Sequence, residues 1–276
     1  LDGRVDIRTG DELGRLGNSF NEMIRKLSDA QDELEKFHHR QLARADRLAS
    51  LGEMAAGIAH EIKNPLAGIY GAAHILVHEF PQGDPKREIV GEMMTLVKRL
   101  DNTIKDLLNF ARYTEPRFAK GNLNDVIDKV LFLVRQIPEG KRARIVREFD
   151  PGMPEIEMDP EQVKQVFLNL ALNALQASPD GVTLTIRTRG DVPAEGDEVR
   201  HRARYVMASV TDDGPGIPPD KLGKIFQPFF TTKENGTGLG LSMTRKILDL
   251  HEGRVTAESG PGRGATFTVF LPKSKS

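Results

Sequence analysis

Apolar residues recur at alternating intervals of four and three from the start of the chain: Leu16, Phe20, Met23, Leu27, Ala30, Leu34 and Phe37. Past the polar pair Gln41 and Arg44 the series resumes with Leu48, Leu51, Ala55, Ile58 and Ile62. A spacing that averages 3.5 over this length predicts a parallel coiled coil with one polar interruption in its seam. A second stripe, Ile89, Met93, Leu96, Leu100, Ile104, Leu107 and Phe110, predicts another long helix, ending near Tyr113. Between them "EFPQGDPKREI" supplies a loop and a restart, with Asp84 suited to cap and Pro85 to open the helix. One hairpin leaves too much apolar face uncovered. Two hairpins from two chains would close a four-helix bundle; the alternative is a monomer that folds the hairpin against its own second domain.

The pattern changes near residue 115, where helical periodicity gives way to strand-like alternation, turns and glycine-rich loops. "EQVKQVFLNLALNALQAS" (161–178) reads as a helix that buries Val163, Val166, Phe167, Leu170 and Ala174 and carries Asn169 and Asn173 one turn apart on another side. Asparagine is a poor helix former, so the pair suggests a ligand or metal surface, the alternative being two simply solvated side chains. "VMASVTDDGPGIP" runs a strand into a turn at Asp212, Gly214 and Gly216. "KIFQPFFTTKENGTGLGLSMTRKIL" reads as a short helix, an exposed Phe229-Phe230 pair, a polar loop, and Gly236-Thr237-Gly238-Leu239-Gly240-Leu241 opening a helix. Such a loop offers free N–H groups and a positive dipole end to phosphate. It lacks the lysine of a P-loop and the preceding strand of a dinucleotide fingerprint.

His60 in "AAGIAHEIKNPLAGI" has three readings: core packing, metal ligand, nucleophile. The seam register places it on the side away from Ile58 and Ile62, facing water, which weakens the first. The residue one turn on is Asn64, neither histidine nor carboxylate, which weakens the second. Pro65 cannot donate to the carbonyl of Glu61 and crowds it, so a bend is expected just past the histidine.

Composition narrows the field. Of 276 residues 38% are hydrophobic and 29% charged, with a formal net charge of −1. That balance argues against direct nucleic-acid binding. Without cysteine, disulfides and thiolate metal sites are excluded. No apolar run approaches the roughly 18 residues of a membrane span, and the start at "LDGRVDIRTGDELG" reads as part of something longer.

In order and spacing these stretches resemble the sensor histidine kinases of two-component signalling: "HEIKNP" the phosphoacceptor box, "NLALNALQA" the N box, "DDGPGI" and "GTGLGLS" the glycine boxes, "FQPFF" the F box. "GDELGRLGNSFNEMIRKL" resembles the second half of a HAMP signal-relay unit, and "AHEIKNPLAGIYGAAHIL" with "NALQA" is similar to the nitrogen-regulation branch. The resemblance implies three domains: a partial HAMP segment at 1–30, a coiled coil and dimerisation hairpin at 31–115, and an α/β sandwich ATP-binding domain of the GHKL type at 116–276. It implies that His60 attacks the γ-phosphate of ATP, that Glu61 takes or polarises the other ring proton, and that Asn64 orients water when phosphate is removed from a partner. Asn173 would hold Mg²⁺ between the phosphates, Asn169 would belong to the nucleotide site, and Asp212 would accept from the adenine amino group. Gly214, Gly216 and Ile217 would line the adenine. Thr232, Lys233, Gly236, Thr237, Gly238, Leu239, Gly240 and Leu241 would form the lid over the phosphates.

Related chaperone and mismatch-repair ATPases place a water-activating glutamate where this chain has Asn169. An amide cannot take the proton, which disfavours hydrolysis. Many members of the family carry a basic residue where this chain has Gln176, so phosphate charge falls to Mg²⁺, Lys233 or another cation. The implied partners are a second copy of the chain and a response-regulator receiver domain. The implied location is the cytoplasmic side of a bacterial inner membrane, with an anchor upstream of residue 1. The connection "TEPRFAKG" (114–121) is expected to act as a hinge, and His38, His39, His74, His78, His201 and His251 as ordinary surface or partly packed residues. An ATP-driven clamp, or an ATP-binding scaffold without phosphotransfer, is the competing class.

Overall fold

The computed structural model describes residues 22, 23, 25, 26, 61–111, 115–178, 181–193, 204–233 and 236–273. His60, the seam from Leu27 to Ile58 and most of 1–30 lie outside them. The chain divides into two units, Leu1–Ile62 with Ala111–Tyr113, and Lys63–Phe110 with Thr114–Ser276. In the first, residues 22, 23, 25 and 26 are helical and exposed, with Lys26 Nζ 3.0 Å from Glu22.

Helix α1 (61–79) runs unbroken through Pro65. A loop then leads to α2 (Pro85–Ala111), where Asp84 Oδ1 accepts from Lys86 N at 2.8 Å, the expected cap, and Arg87 Nη1 donates to the Phe80 carbonyl at 2.8 Å, closing the turn. Leu66 and Ala73 on α1 and Val90 and Val97 on α2 are buried, each pair seven residues apart. That is the repeat of helices packed at a shallow angle. The expected stripe on α2 divides: Ile89, Met93, Leu96 and Leu100 stay about half exposed (46–57%), whereas Phe110 is buried.

Beyond 115 the chain builds an α/β sandwich. β1 (Ala119–Asn122) pairs antiparallel with β3 (Glu155–Met158). The main sheet comprises β2 (Arg144–Glu148), β4 (Thr183–Pro193), β5 (Arg204–Asp212), β6 (Arg254–Ser259) and β7 (Ala265–Pro272), in the order β2-β4-β5-β7-β6. Only β2–β4 is parallel. Alternation in β7 buries Ala265, Phe267, Val269 and Leu271, as one covered face demands. The cover is α3 (Leu123–Val134), α5 (Pro160–Ala177) and α7 (Gly240–Leu250), whose Ile127, Phe167, Leu170 and Leu248 join the sheet residues in one core. The short helices α4 (Pro138–Arg142) and α6 (Pro219–Leu222) complete the set. Among the described residues no helix is long and apolar enough to cross a membrane.

Two expectations are corrected here. The expected hinge segment 114–121 is tied down over its second half, where Arg117 N donates to Asp159 Oδ2 at 2.8 Å and β1 begins at Ala119. Phe229 and Phe230 are not an equally exposed pair: Phe229 is 58% exposed, while Phe230 packs on the core.

Candidate active site

Asp159 follows β3 and caps α5, with its Oδ1 accepting from Glu161 N and Gln162 N at 3.0 and 3.1 Å and Pro160 at the first helical position. So started, α5 turns Val163, Val166, Phe167, Leu170, Ala171, Ala174 and Leu175 into the core. Asn169 and Asn173 are left half-buried at the edge of that face. Asn169 Nδ2 donates to the Gly240 carbonyl at 3.1 Å and its Oδ1 accepts from Gln165 Nε2 at 2.9 Å. The amide thus ties α5 to the first residue of α7.

One turn on, Lys233 Nζ lies 3.1 Å from Asn173 Oδ1, 3.4 Å from the Asn173 carbonyl and 3.0 Å from Gln176 Oε1. Burial pushes this lysine's pKa below its usual value, partly offset by the charge of Asp212. Three neutral oxygens around one ammonium form a donor set that also suits a hard divalent cation. Mg²⁺ therefore fits here, with Asn173 and Gln176 as its protein oxygens.

Asp212, at the end of β5, is buried. Its Oδ1 accepts from Gly214 N at 2.9 Å and Ala265 N at 3.3 Å. Desolvation nonetheless raises its pKa, against the pull of those two amides and of Lys233. Both donors fall on Oδ1, which leaves Oδ2 for a ligand. Gly216 has φ +76°, and a Cβ there would stand 2.1 Å from the Gly260 carbonyl oxygen, so the turn itself demands glycine. Ile217 N donates to Ser259 Oγ at 2.7 Å, and that hydroxyl donates to the Gly264 carbonyl at 2.6 Å.

Leu239 is buried at the N-cap of α7, where no side chain caps the helix, and Leu241 packs on the core. The first N–H groups of α7 are therefore available to an anion. Gly238 (φ +68°) passes so close to Phe229 that a Cβ would stand 2.5 Å from its carbonyl carbon. Phe229 itself has φ 65°, rare for a bulky residue. Gly236 N donates to the Lys233 carbonyl at 3.2 Å, and Thr232 is exposed. Thr237 Oγ1 points elsewhere, to Asp106 on α2.

Of the phosphoacceptor stretch, Glu61 and Asn64 are exposed on α1. Several participants were not legible in the sequence: Ser259, Asp106 and Lys246, whose Nζ donates to the Phe110 carbonyl at 2.7 Å and lies 5.5 Å from its ring. His251 corrects the expectation of ordinary histidines. It is 2% exposed; Nε2 accepts from Asp159 N at 3.0 Å, Nδ1 faces the Ile247 carbonyl at 2.8 Å, and the ring meets Phe118 edge-on.

An antiparallel-rich sheet under three helices, with amides, a buried carboxylate and a glycine lid at one end, defines the GHKL class of nucleotide-binding domain, here following a helical hairpin. Family models match accordingly: the histidine kinase-, DNA gyrase B-, and HSP90-like ATPase at 158–275, the His Kinase A (phospho-acceptor) domain at 50–116 and the HAMP domain at 1–29. The chain belongs to the sensor histidine kinases. It is 37% identical over 249 residues to the sensory histidine kinase/phosphatase NtrB of Salmonella typhimurium, covering 88% of this chain and 68% of NtrB. It is 36% identical over 238 residues to the sensor histidine kinase ZraS of the same species, covering 85% of this chain and 49% of ZraS. The chain thus spans about half the length of several curated relatives it matches. Its fold is similar to that of histidine kinase ThkA in a complex with response regulator protein TrrA, at TM-score 0.59 and 30% identity, covering 87% of this chain and 67% of that one.

Proposed function

We propose that this chain is the kinase portion of a two-component sensor that phosphorylates itself on His60 from ATP and passes the phosphoryl group to an aspartate of a receiver domain. The observation that carries the reading is Asn169. Its amide is engaged on both sides, by Gly240 and Gln165, and an amide cannot deprotonate water. The site is suited to hold ATP without hydrolysing it and to deliver it to a nucleophile on the helical hairpin.

Asp212 Oδ2 accepts from the adenine amino group. The free N–H groups of α7, with Lys233, hold the phosphates. Bound Mg²⁺ would neutralise phosphate charge; Asn173, with Gln176, would hold it. One ring nitrogen of His60 forms the bond to the γ-phosphorus while the bond to the bridging oxygen breaks and ADP leaves. Glu61 takes or polarises the proton on the other nitrogen. Asn64, four residues on in the chain, aims a water at phosphate when the reaction is removal from the regulator.

The half-exposed stripe Ile89, Met93, Leu96 and Leu100, with Ile62, Ile69 and Leu76 on α1, supports a homodimer closed as a four-helix bundle. Full burial of each such side chain is worth roughly 1.5–3 kcal/mol. The match to the HAMP domain at 1–29 supports a membrane anchor upstream and a cytoplasmic position for these domains. The domain division 1–30, 31–115 and 116–276 belongs to the same proposal.

Incubation with γ-labelled ATP tests it. His60→Gln is expected to carry no acid-labile label while binding ATP as the parent does. Label retained at the parental level, or free phosphate produced faster than phosphoprotein, would refute it.

A further inference from the structure

Lys233 occupies oxygens that the proposed nucleotide site needs for something else. Its ammonium has three protons, and three oxygens from one turn of α5 surround it: Asn173 Oδ1, the Asn173 carbonyl and Gln176 Oε1, at 3.0–3.4 Å. A second cation on Asn173 Oδ1 would be in van der Waals range of the first. Two cations so close in a half-buried place repel strongly, and a divalent ion doubles the repulsion. Both cannot stay.

The lysine is free to leave because it stands on the lid and not on α5. Lys233 N donates to Thr231 Oγ1 at 3.1 Å, and Gly236 N donates to the Lys233 carbonyl. Retention of the ammonium in this half-buried place costs solvation. Gln176 completes the arrangement. A basic side chain there would repel the ammonium, whereas the amide oxygen accepts from it.

We propose that Lys233 and Mg²⁺ are alternating occupants of this oxygen cluster. In nucleotide-free protein the lysine holds Asn173 Oδ1 and Gln176 Oε1 in the orientation the metal requires. When the metal–nucleotide complex binds, the ammonium passes from the cluster to the phosphate oxygens. The inference rests on the reading of Asn173 as the metal-holding residue.

Calorimetric titration of the parent, Lys233→Met and Asn173→Ala with ADP, with Mg²⁺ or with chelator, tests the exchange, with adenosine as a phosphate-free control for an intact adenine pocket. Lys233→Met is expected to weaken metal-free ADP about tenfold but the Mg²⁺ complex much less, so that the gain from Mg²⁺ grows at least about threefold while adenosine binding is unchanged. In nucleotide-free protein the side-chain amide resonances of Asn173 and Gln176 should shift in Lys233→Met. Equal weakening with and without Mg²⁺, or unshifted amides, overturns the exchange alone. A parent, or an Asn173→Ala variant, whose ADP affinity responds to Mg²⁺ in the same way as the other brings down the metal assignment and the exchange with it.

Discussion

Thr237 Oγ1 donates to Asp106 Oδ2 at 3.0 Å, joining the glycine-rich lid to a helix of the hairpin 131 residues earlier in the chain. Lys246 reinforces the seat from α7 by capping the Phe110 carbonyl, and Phe229 meets the Phe110 ring at a centroid distance of 6.5 Å. The Thr237–Asp106 bond is exposed, so its loss matters for rates more than for stability. Asp106→Ala is expected to speed ADP release about two- to fivefold, the range of an exposed polar contact. Stopped-flow displacement of a fluorescent nucleotide measures it, and unchanged release would show that the bond does not restrain the lid.

Asp212 sets a pH dependence. Burial raises its folded pKa above the ordinary value of 3.8, so between those two values the folded chain binds more protons than the unfolded one. Stability therefore falls as pH rises through that window, and the cost of the ionised carboxylate is fully present above it. In Asp212→Asn the amide oxygen can still accept from Gly214 and Ala265, and this fall should vanish. The new NH₂ faces the adenine amino group, so ATP affinity should drop about tenfold or more. Denaturant melts across pH 4–7 and a binding titration at pH 7 report the two effects separately.

Asn64 separates formation of phosphohistidine from removal of phosphate. It is exposed on α1, and its replacement leaves His60, Glu61 and Pro65 in place. Asn64→Ala is expected to slow dephosphorylation of the cognate receiver about tenfold or more while self-phosphorylation stays within about twofold, since only the former needs an oriented water. A variant as fast as the parent in the dephosphorylation assay would remove this role.

His251 bonds to the residue that caps α5. Replacement by Phe leaves Asp159 N without its acceptor in a buried place, a loss on the order of 1–3 kcal/mol. The Asp159 cap also holds Arg117 N, so the first residues after the hairpin should loosen with it. Urea unfolding of His251→Phe should show the lower midpoint, and hydrogen exchange should rise at Arg117 and Glu161. Exchange unchanged at those amides would confine His251 to packing.

Much of the site was legible because its parts obey local rules. The Asn169–Asn173 spacing, the glycine turn after Asp212 and the uncapped start of α7 each follow from a few consecutive residues. The caps at Asp84 and Asp159 follow from the same kind of rule, though only the first was anticipated. That Gly216 also passes close to the Gly260 carbonyl is something no local pattern can announce.

The sequence by itself determined the element types, the helical hairpin with its uncovered stripe and the presence of the nucleotide boxes, because periodicity, capping and turn chemistry act over one or two turns of chain. Only the tertiary structure decided that His251 buries against Asp159 across 92 residues, that Lys233 reaches back to Asn173 and that Asp106 receives Thr237. A lone histidine, lysine or aspartate on an amphipathic element has many possible partners. Which one it meets depends on how sheet and helices pack, and that packing is set by the apolar core, not by the polar residues it brings together.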